Sequence, residues 1–226
     1  MKATLATLAC LLTVGFLSAA SVEGNNTAVV IRKNVVSAKN GYQFLCVPVN
    51  GLNIAGAEDG EVALETLLPA ATLPNGTFVT GMLENGDQFD YTVANSVWTS
   101  NGAVLTESPT FKGGQIFWLN TQAANRTRSA IPTTIVFCGQ ERDLTLGGAP
   151  TSDEVVAMCN DSSVAIKLSA VIETPKNLDQ ILTIKAGSSE YNIYRYLGGT
   201  WYGSGSESEC NDVEIAPGEA FYYYTK

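Results

Sequence analysis

A stretch near the C-terminus repeats one near the middle, and this duplication constrains the fold more than any other feature. Ser189-Glu190-Tyr191-Asn192-Ile193-Tyr194-Arg195-Tyr196-Leu197-Gly198-Gly199-Thr200-Trp201 aligns without a gap on Gly86-Asp87-Gln88-Phe89-Asp90-Tyr91-Thr92-Val93-Ala94-Asn95-Ser96-Val97-Trp98. Asp87 matches Glu190, Tyr91 matches Tyr194 and Trp98 matches Trp201. A polar loop follows each tryptophan, and then a glycine opens an aromatic segment: Gly114-Gln115-Ile116-Phe117-Trp118-Leu119 in the first copy, Gly218-Glu219-Ala220-Phe221-Tyr222-Tyr223 in the second. Short apolar runs separated by turn residues at hairpin spacing predict strands. Internal self-similarity predicts two copies of one unit. The expected fold is all-β, a sandwich or small barrel made twice, with the copies either independent or packed as a pseudo-symmetric pair.

Residues 1–20 carry Lys2, an apolar run and Ser18-Ala19-Ala20, the pattern of a secretory signal cut before Ser21. The expected destination is the periplasm, the outer surface or the extracellular space. No later run is long enough for a transmembrane helix. Residues 21–138 are the expected first repeat, 139–161 a linker with Gly147-Gly148 and Pro150, and 162–226 the second repeat. Residues 41–49 (Gly-Tyr-Gln-Phe-Leu-Cys-Val-Pro-Val) read as an opening strand, ended or bulged at Pro48, which lacks an N–H. Its expected counterpart is Val164-Ala165-Ile166-Lys167-Leu168-Ser169-Ala170-Val171. Residues 59–68 have helical spacing at Val62, Leu64, Leu67 and Leu68, acids at the N-terminal end and Pro69 as a stop, so two turns of helix are expected there. The second copy is shorter in this region, with the helix lost or cut to one turn. Asn85-Gly86 is a strong hairpin signal.

The sequence motifs resemble a recurrent secreted β module. They are Gly-x-x-x-Leu-x-x-Pro-Val at residues 41–49, a short helix, Tyr91 and Trp98, then Gly114-x-x-Phe117-Trp118. The module's usual form opens on G-W-N-L-I-S-x-P and closes on G-x-G-F-W, and exported proteins of verrucomicrobial and related bacteria carry it in two copies. Here Phe44 stands for Asn, Cys46 for Ser and Gln115 for the second closing glycine. The resemblance implies export and a β fold. It implies no established activity and transfers no functional residues.

The composition narrows the chemistry. The formal net charge is −9, and loss of Lys2 with the leader moves it one further unit negative, which disfavours nucleic acid as a partner. Histidine is absent, which removes Ser-His and Cys-His nucleophiles and histidine-held metals. No C-x-x-C spacing points to zinc, and no cofactor is implied. Four cysteines follow the leader: Cys46, Cys138, Cys159 and Cys210. In an exported chain they suggest two disulfides among three possible pairings, Cys46–Cys138 with Cys159–Cys210 preferred and buried free thiols the alternative. Asp87, Asp90, Glu190 and Glu219 could supply the paired carboxylates of a histidine-free glycoside hydrolase, but Asp87 and Glu190 recur in both copies beside hairpin turns, which fits a structural role better. Asn160-Asp161 and Asn211-Asp212 are oxygen-rich without the spacing of a known calcium loop, which fits turns. Asn25, Asn75, Asn125 and Asn160 begin Asn-x-Ser/Thr sequons. The aromatic run is the remaining lead. Tyr194, Tyr196, Trp201, Tyr222 and Tyr224 are the candidate ligand-binding residues, either as a sugar-stacking platform or as core. The expected function is a non-catalytic structural or interaction role at the cell surface, through another surface protein or self-association, with carbohydrate binding as the alternative.

Overall fold

The computed structural model describes residues 21–22, 26–36, 42–50, 61–83, 86–121, 132–141, 153–185, 190–206 and 208–226. Residues 1–20, where a leader is expected, and the sequon residues Asn25 and Asn125 lie outside them. The described chain is mostly strand, so the all-β expectation holds.

The first copy is built on a six-stranded antiparallel sheet. Its strands are β3 (Gln43–Cys46), β6 (Phe78–Met82), β7 (Gln88–Ala94), β8 (Val97–Ser100), β9 (Ala103–Val104) and β11 (Ile116–Asn120), in the order β3-β11-β6-β7-β8-β9. The second copy uses β13 (Val155–Cys159), β15 (Gln180–Ile184), β16 (Tyr191–Leu197), β17 (Thr200–Gly203) and β19 (Ala220–Tyr224), in the order β13-β19-β15-β16-β17. The first five strands of the first order correspond to the five of the second, and β9 has no counterpart among the described residues. β7 falls on β16 and β8 on β17 over the gapless alignment. Both hairpins turn through two residues at positive φ: Asn95 (51°) and Ser96 (64°), then Gly198 (56°) and Gly199 (97°). Two positive φ values in a two-residue loop suit the right-handed twist of the flanking strands.

Each copy also has a lid. In the first, β5 (Val62–Ala63) pairs with β10 (Thr110–Phe111) and leads into one helical turn, α1 (Leu64–Leu67). In the second, β14 (Ile166–Lys167) pairs with β18 (Glu214–Ile215) and leads into α2 (Leu168–Val171). The Leu64 N–H donates to Pro109 O (2.7 Å), and the Leu168 N–H donates to Val213 O (2.8 Å), so the lids are anchored alike. Two expectations are corrected here. The described part of residues 59–68 holds one helical turn rather than two, because Val62 and Ala63 are held extended by their ladder to β10 and Pro69 stops the helix. Residues 164–171 are this lid and not the counterpart of the opening strand. That counterpart is β13, inside the stretch read as a linker.

Alternation places one face of each sheet inward. Phe89, Val93, Trp98, Phe117 and Leu119 share the first core with Leu64, Leu67 and Leu68 of the lid. Trp98 is 4% exposed, and its indole N–H donates to Leu68 O (2.9 Å), tying lid to sheet. Ile181, Trp201, Phe221 and Tyr223 make a separate second core with Leu168 and Val171. In that core Asp179, fully buried, accepts from the Tyr223 hydroxyl (2.5 Å) and the Lys176 N–H (2.7 Å). The Tyr223 hydroxyl is held well above its usual pKa, by burial first and by Asp179 second. Among the described residues the first copy alone has a further ribbon: β2 (Asn26–Val36) pairs along β12 (Pro132–Glu141), adding Ile31, Ile135 and Phe137 to the first core. Beyond Pro48 the chain forms β4 (Val49–Asn50) and joins β12, so the opening strand breaks at the proline as expected.

Candidate functional site

The two copies meet through the outer faces of β3 and β11 and the edge of β19. The Phe44 ring stacks on Trp118 (4.2 Å between centroids) and on Tyr222 of the other copy (4.8 Å), and Tyr222 reaches Tyr191 (6.5 Å). The contact follows an approximate two-fold relation. Cys46 lies opposite Ile116, where β3 joins β11, and Cys159 lies opposite Ala220, where β13 joins β19. Beside the first pair, the Val47 N–H donates to Gln115 O (3.1 Å). Beside the second, the Asn160 N–H donates to Glu219 O (2.9 Å).

On one side of this axis the interface is closed. The outward N–H of Cys46 donates to Gly218 O (3.0 Å), and Leu45 bridges Glu219. The Glu219 carboxylate accepts from the Ala216 N–H (3.3 Å) and lies 3.9 Å from Lys33 Nζ on β2. Burial lowers the Lys33 pKa, and the Glu219 charge opposes that shift. Burial likewise raises the Glu219 pKa, against Lys33 and the Ala216 N–H. Gly218 has φ +69°, and a Cβ there would meet Cys46 O and Pro48 Cγ at 3.3 Å and Phe137 Cε2 at 3.4 Å, so only glycine fits the seam.

On the other side the interface is open. A groove of about 930 Å³ runs between the outer face of the first sheet and β13. Phe44, Ile116 and Trp118 lie on the first-sheet side with Thr80 and Met82 of β6, and all five residues of β13 line the groove with Tyr222. Asn160 N–H and Glu154 O bond toward β19 (2.9 and 3.0 Å), so alternation turns the backbone groups of Val155, Ala157 and Cys159 away from it. Among the described residues no strand pairs with that edge. Gln115 occupies the position equivalent to Glu219. Its Oε1 accepts from the Lys112 N–H (3.1 Å), as Glu219 accepts from Ala216, but its Nε2 is buried with no partner among the described residues. Met82 and Val155 are 64% and 62% exposed, so the groove's walls present apolar side chains to solvent.

The five sequence-predicted ligand residues divide between two faces. Trp201 is 1% exposed in the second core, and Tyr194 and Tyr196 pack against that core from the same side of β16. These three side chains therefore pack on the second core rather than in the groove. Tyr222 and Tyr224 point to the outer face of β19, and Tyr222 lines the groove. The groove residues missed by sequence reading are Phe44, Trp118, Gln115 and β13. Phe44, Cys46 and Gln115, the departures from the secreted module, were the available signal.

The remaining expectations resolve locally. No disulfide joins the four cysteines, so the pairs Cys46–Cys138 and Cys159–Cys210 are corrected. Cys138 lies opposite Val30 on the β2 ribbon, and the Cys210 thiol donates to Ser208 O (3.5 Å). Asp87 sits in the turn before β7, where its carbonyl accepts from the Leu83 N–H (2.8 Å). Asp90 accepts from Gln88 Nε2 (3.2 Å), Glu190 lies 3.7 Å from Lys185 Nζ, and Glu219 faces Lys33. Asp87 and Asp90 belong to the β6–β7 hairpin, Glu190 to the start of β16 and Glu219 to the seam. The Asn160 amide donates to Val164 O and Ile215 O (2.8 and 2.9 Å) while its oxygen accepts from Ser162, and Asn211 Oδ1 accepts from the Trp201 N–H (2.9 Å). Both asparagines organise turns, and Asn160 is too buried to accept a glycan in the folded protein. Among the described residues no helix is long and apolar enough to cross a membrane.

No family model, curated protein or solved structure matches this chain.

Proposed function

We propose that this is an exported, non-catalytic interaction protein whose inter-repeat groove takes an extended partner segment as an added strand on β13. The carrying observation is the asymmetry of the pseudo-two-fold seam. The free edge of β3 is met by Gly218, and Glu219 by Lys33. The equivalent edge of β13 and the equivalent side chain, Gln115, open into an aromatic-lined groove. Strand addition satisfies such an edge through main-chain hydrogen bonds, and side-chain pockets supply selectivity. The partner is then an extended peptide with alternating apolar residues, from another surface protein or a second copy. Gln115 Nε2 would donate to one of its acceptors.

The test uses the mature chain and an array of extended peptides with alternating apolar and polar residues. Ala157→Pro removes an N–H from the open edge and leaves the ladder to β19 in place. Peptide binding is expected for the native chain and at least tenfold weaker for Ala157→Pro, with the unfolding midpoint little changed. Absence of binding to any such peptide, together with no self-association that Ala157→Pro abolishes, overturns the reading. A second reading rests on Trp118 and Tyr222 lining the groove: these rings could take a sugar face. Glycan-array binding that survives Ala157→Pro and is lost in Trp118→Ala would select it.

A further inference from the structure

We propose that Cys46 and Cys159 are an oxidisable pair that forms a disulfide joining the two copies across their pseudo-two-fold axis. The two cysteines occupy equivalent positions, each ending its edge strand beside the first residue of the aromatic strand. Each thiol reaches into the other copy: Cys46 Sγ donates to Asn160 O (3.5 Å), and Cys159 Sγ donates to Gly114 O (3.6 Å). The crossing sets the two thiols alongside one another, near enough for Cys159 to raise the Cys46 pKa. Cys138 lies on β12 and Cys210 in the loop between β17 and β18, where its thiol donates to Ser208 O (3.5 Å).

The two sulfurs differ in access. Cys46 is fully buried, whereas Cys159 is partly exposed at the groove. Burial, and then the Cys159 thiol, pushes the Cys46 thiol well above its usual pKa. The order of events follows from access. A disulfide-class oxidant, such as oxidised glutathione or a protein disulfide, is attacked by the Cys159 thiolate. The oxidant's S–S bond breaks, and one of its thiols leaves. Cys46 then displaces the second thiol from the mixed disulfide, and the proton of Cys46 goes to that leaving group. Two protein thiols are oxidised to one disulfide, and one oxidant disulfide is reduced to two thiols. The product bond would clamp the end of β13 to the end of β3, fixing the wall of the groove.

The experiment treats the purified full chain with oxidised glutathione, alkylates what remains, and maps linked peptides by mass spectrometry. A Cys46–Cys159 peptide is the expected product, with a rise in thermal midpoint that dithiothreitol reverses and that Cys159→Ser lacks. Because Cys46→Ser disturbs a buried position, Cys159→Ser is the primary variant. Quantitative alkylation of both thiols after oxidation, or a Cys46–Cys138 or Cys159–Cys210 link, overturns the proposal. Strand binding in the groove is measured separately, so either result leaves the other interpretable.

Discussion

The seam between the copies turns on single positions that are equivalent in the two copies and do different work. Gln115 and Glu219 accept equivalent N–H bonds, from Lys112 and Ala216, yet one is a neutral amide at a groove and the other a carboxylate facing Lys33. The Lys33 and Glu219 side chains are only 15% and 27% exposed, so their charges are poorly solvated. Removing one partner then strands the other, and Lys33→Met should cost about 1–3 kcal/mol at neutral pH by chemical denaturation. The pH dependence has a definite sign. The folded pKa of Glu219 lies above the ordinary value of 4.5, so between the two the folded chain holds a proton that the unfolded chain has lost. The stability from this group is fully present below 4.5 and is lost as pH rises through the folded pKa. Native protein should therefore gain stability relative to Glu219→Gln as pH falls from 7 toward 4.5. Denaturation midpoints of the two proteins across that range check it, and a constant difference would refute it.

At the scale of elements, the copies solve one turn with different residues. Asn95-Ser96 and Gly198-Gly199 close equivalent hairpins, all four at positive φ. For Ser96 that conformation crowds its Cβ, while glycine adopts it freely. Ser96→Gly should stabilise the protein by up to about 1 kcal/mol, offset in part by the added freedom of the unfolded chain. Gly199→Ser at φ 97° should destabilise it by at least as much. Thermal or urea unfolding of both variants measures the pair. Element identity was legible where side-chain alternation faced one core: β7, β8, β11, β16 and β19 all lie where the repeat puts them. It was not legible for β13, whose Val155-Val156-Ala157 triplet lacks alternation and follows a glycine-rich stretch. Nor was it legible for α2, where Leu168 and Val171 are spaced equally well for a helical turn and a strand end.

At the scale of the molecule, two separate cores are joined by a seam of aromatic rings. The stacked Phe44 and Tyr222 rings cross from one copy to the other. A double-mutant cycle of Phe44→Leu and Tyr222→Leu should give a coupling of about 0.5–1.5 kcal/mol, measured by urea unfolding. A coupling near zero would mean that the copies rest side by side without supporting each other. The amino-acid order by itself determined what short-range physics controls: the β class, the repeat, the glycine and asparagine turns and the break at Pro48. These follow from alternation, backbone restriction and apolar spacing within a few residues. Tertiary structure alone decided which aromatic face is covered, which cysteine meets which, and which strand edge stays open. Those outcomes depend on how one copy seats on the other, through contacts between residues distant in the chain. The repeat announces two equivalent edges, but only the seating of Gly218 against Cys46 closes one and leaves the other on β13.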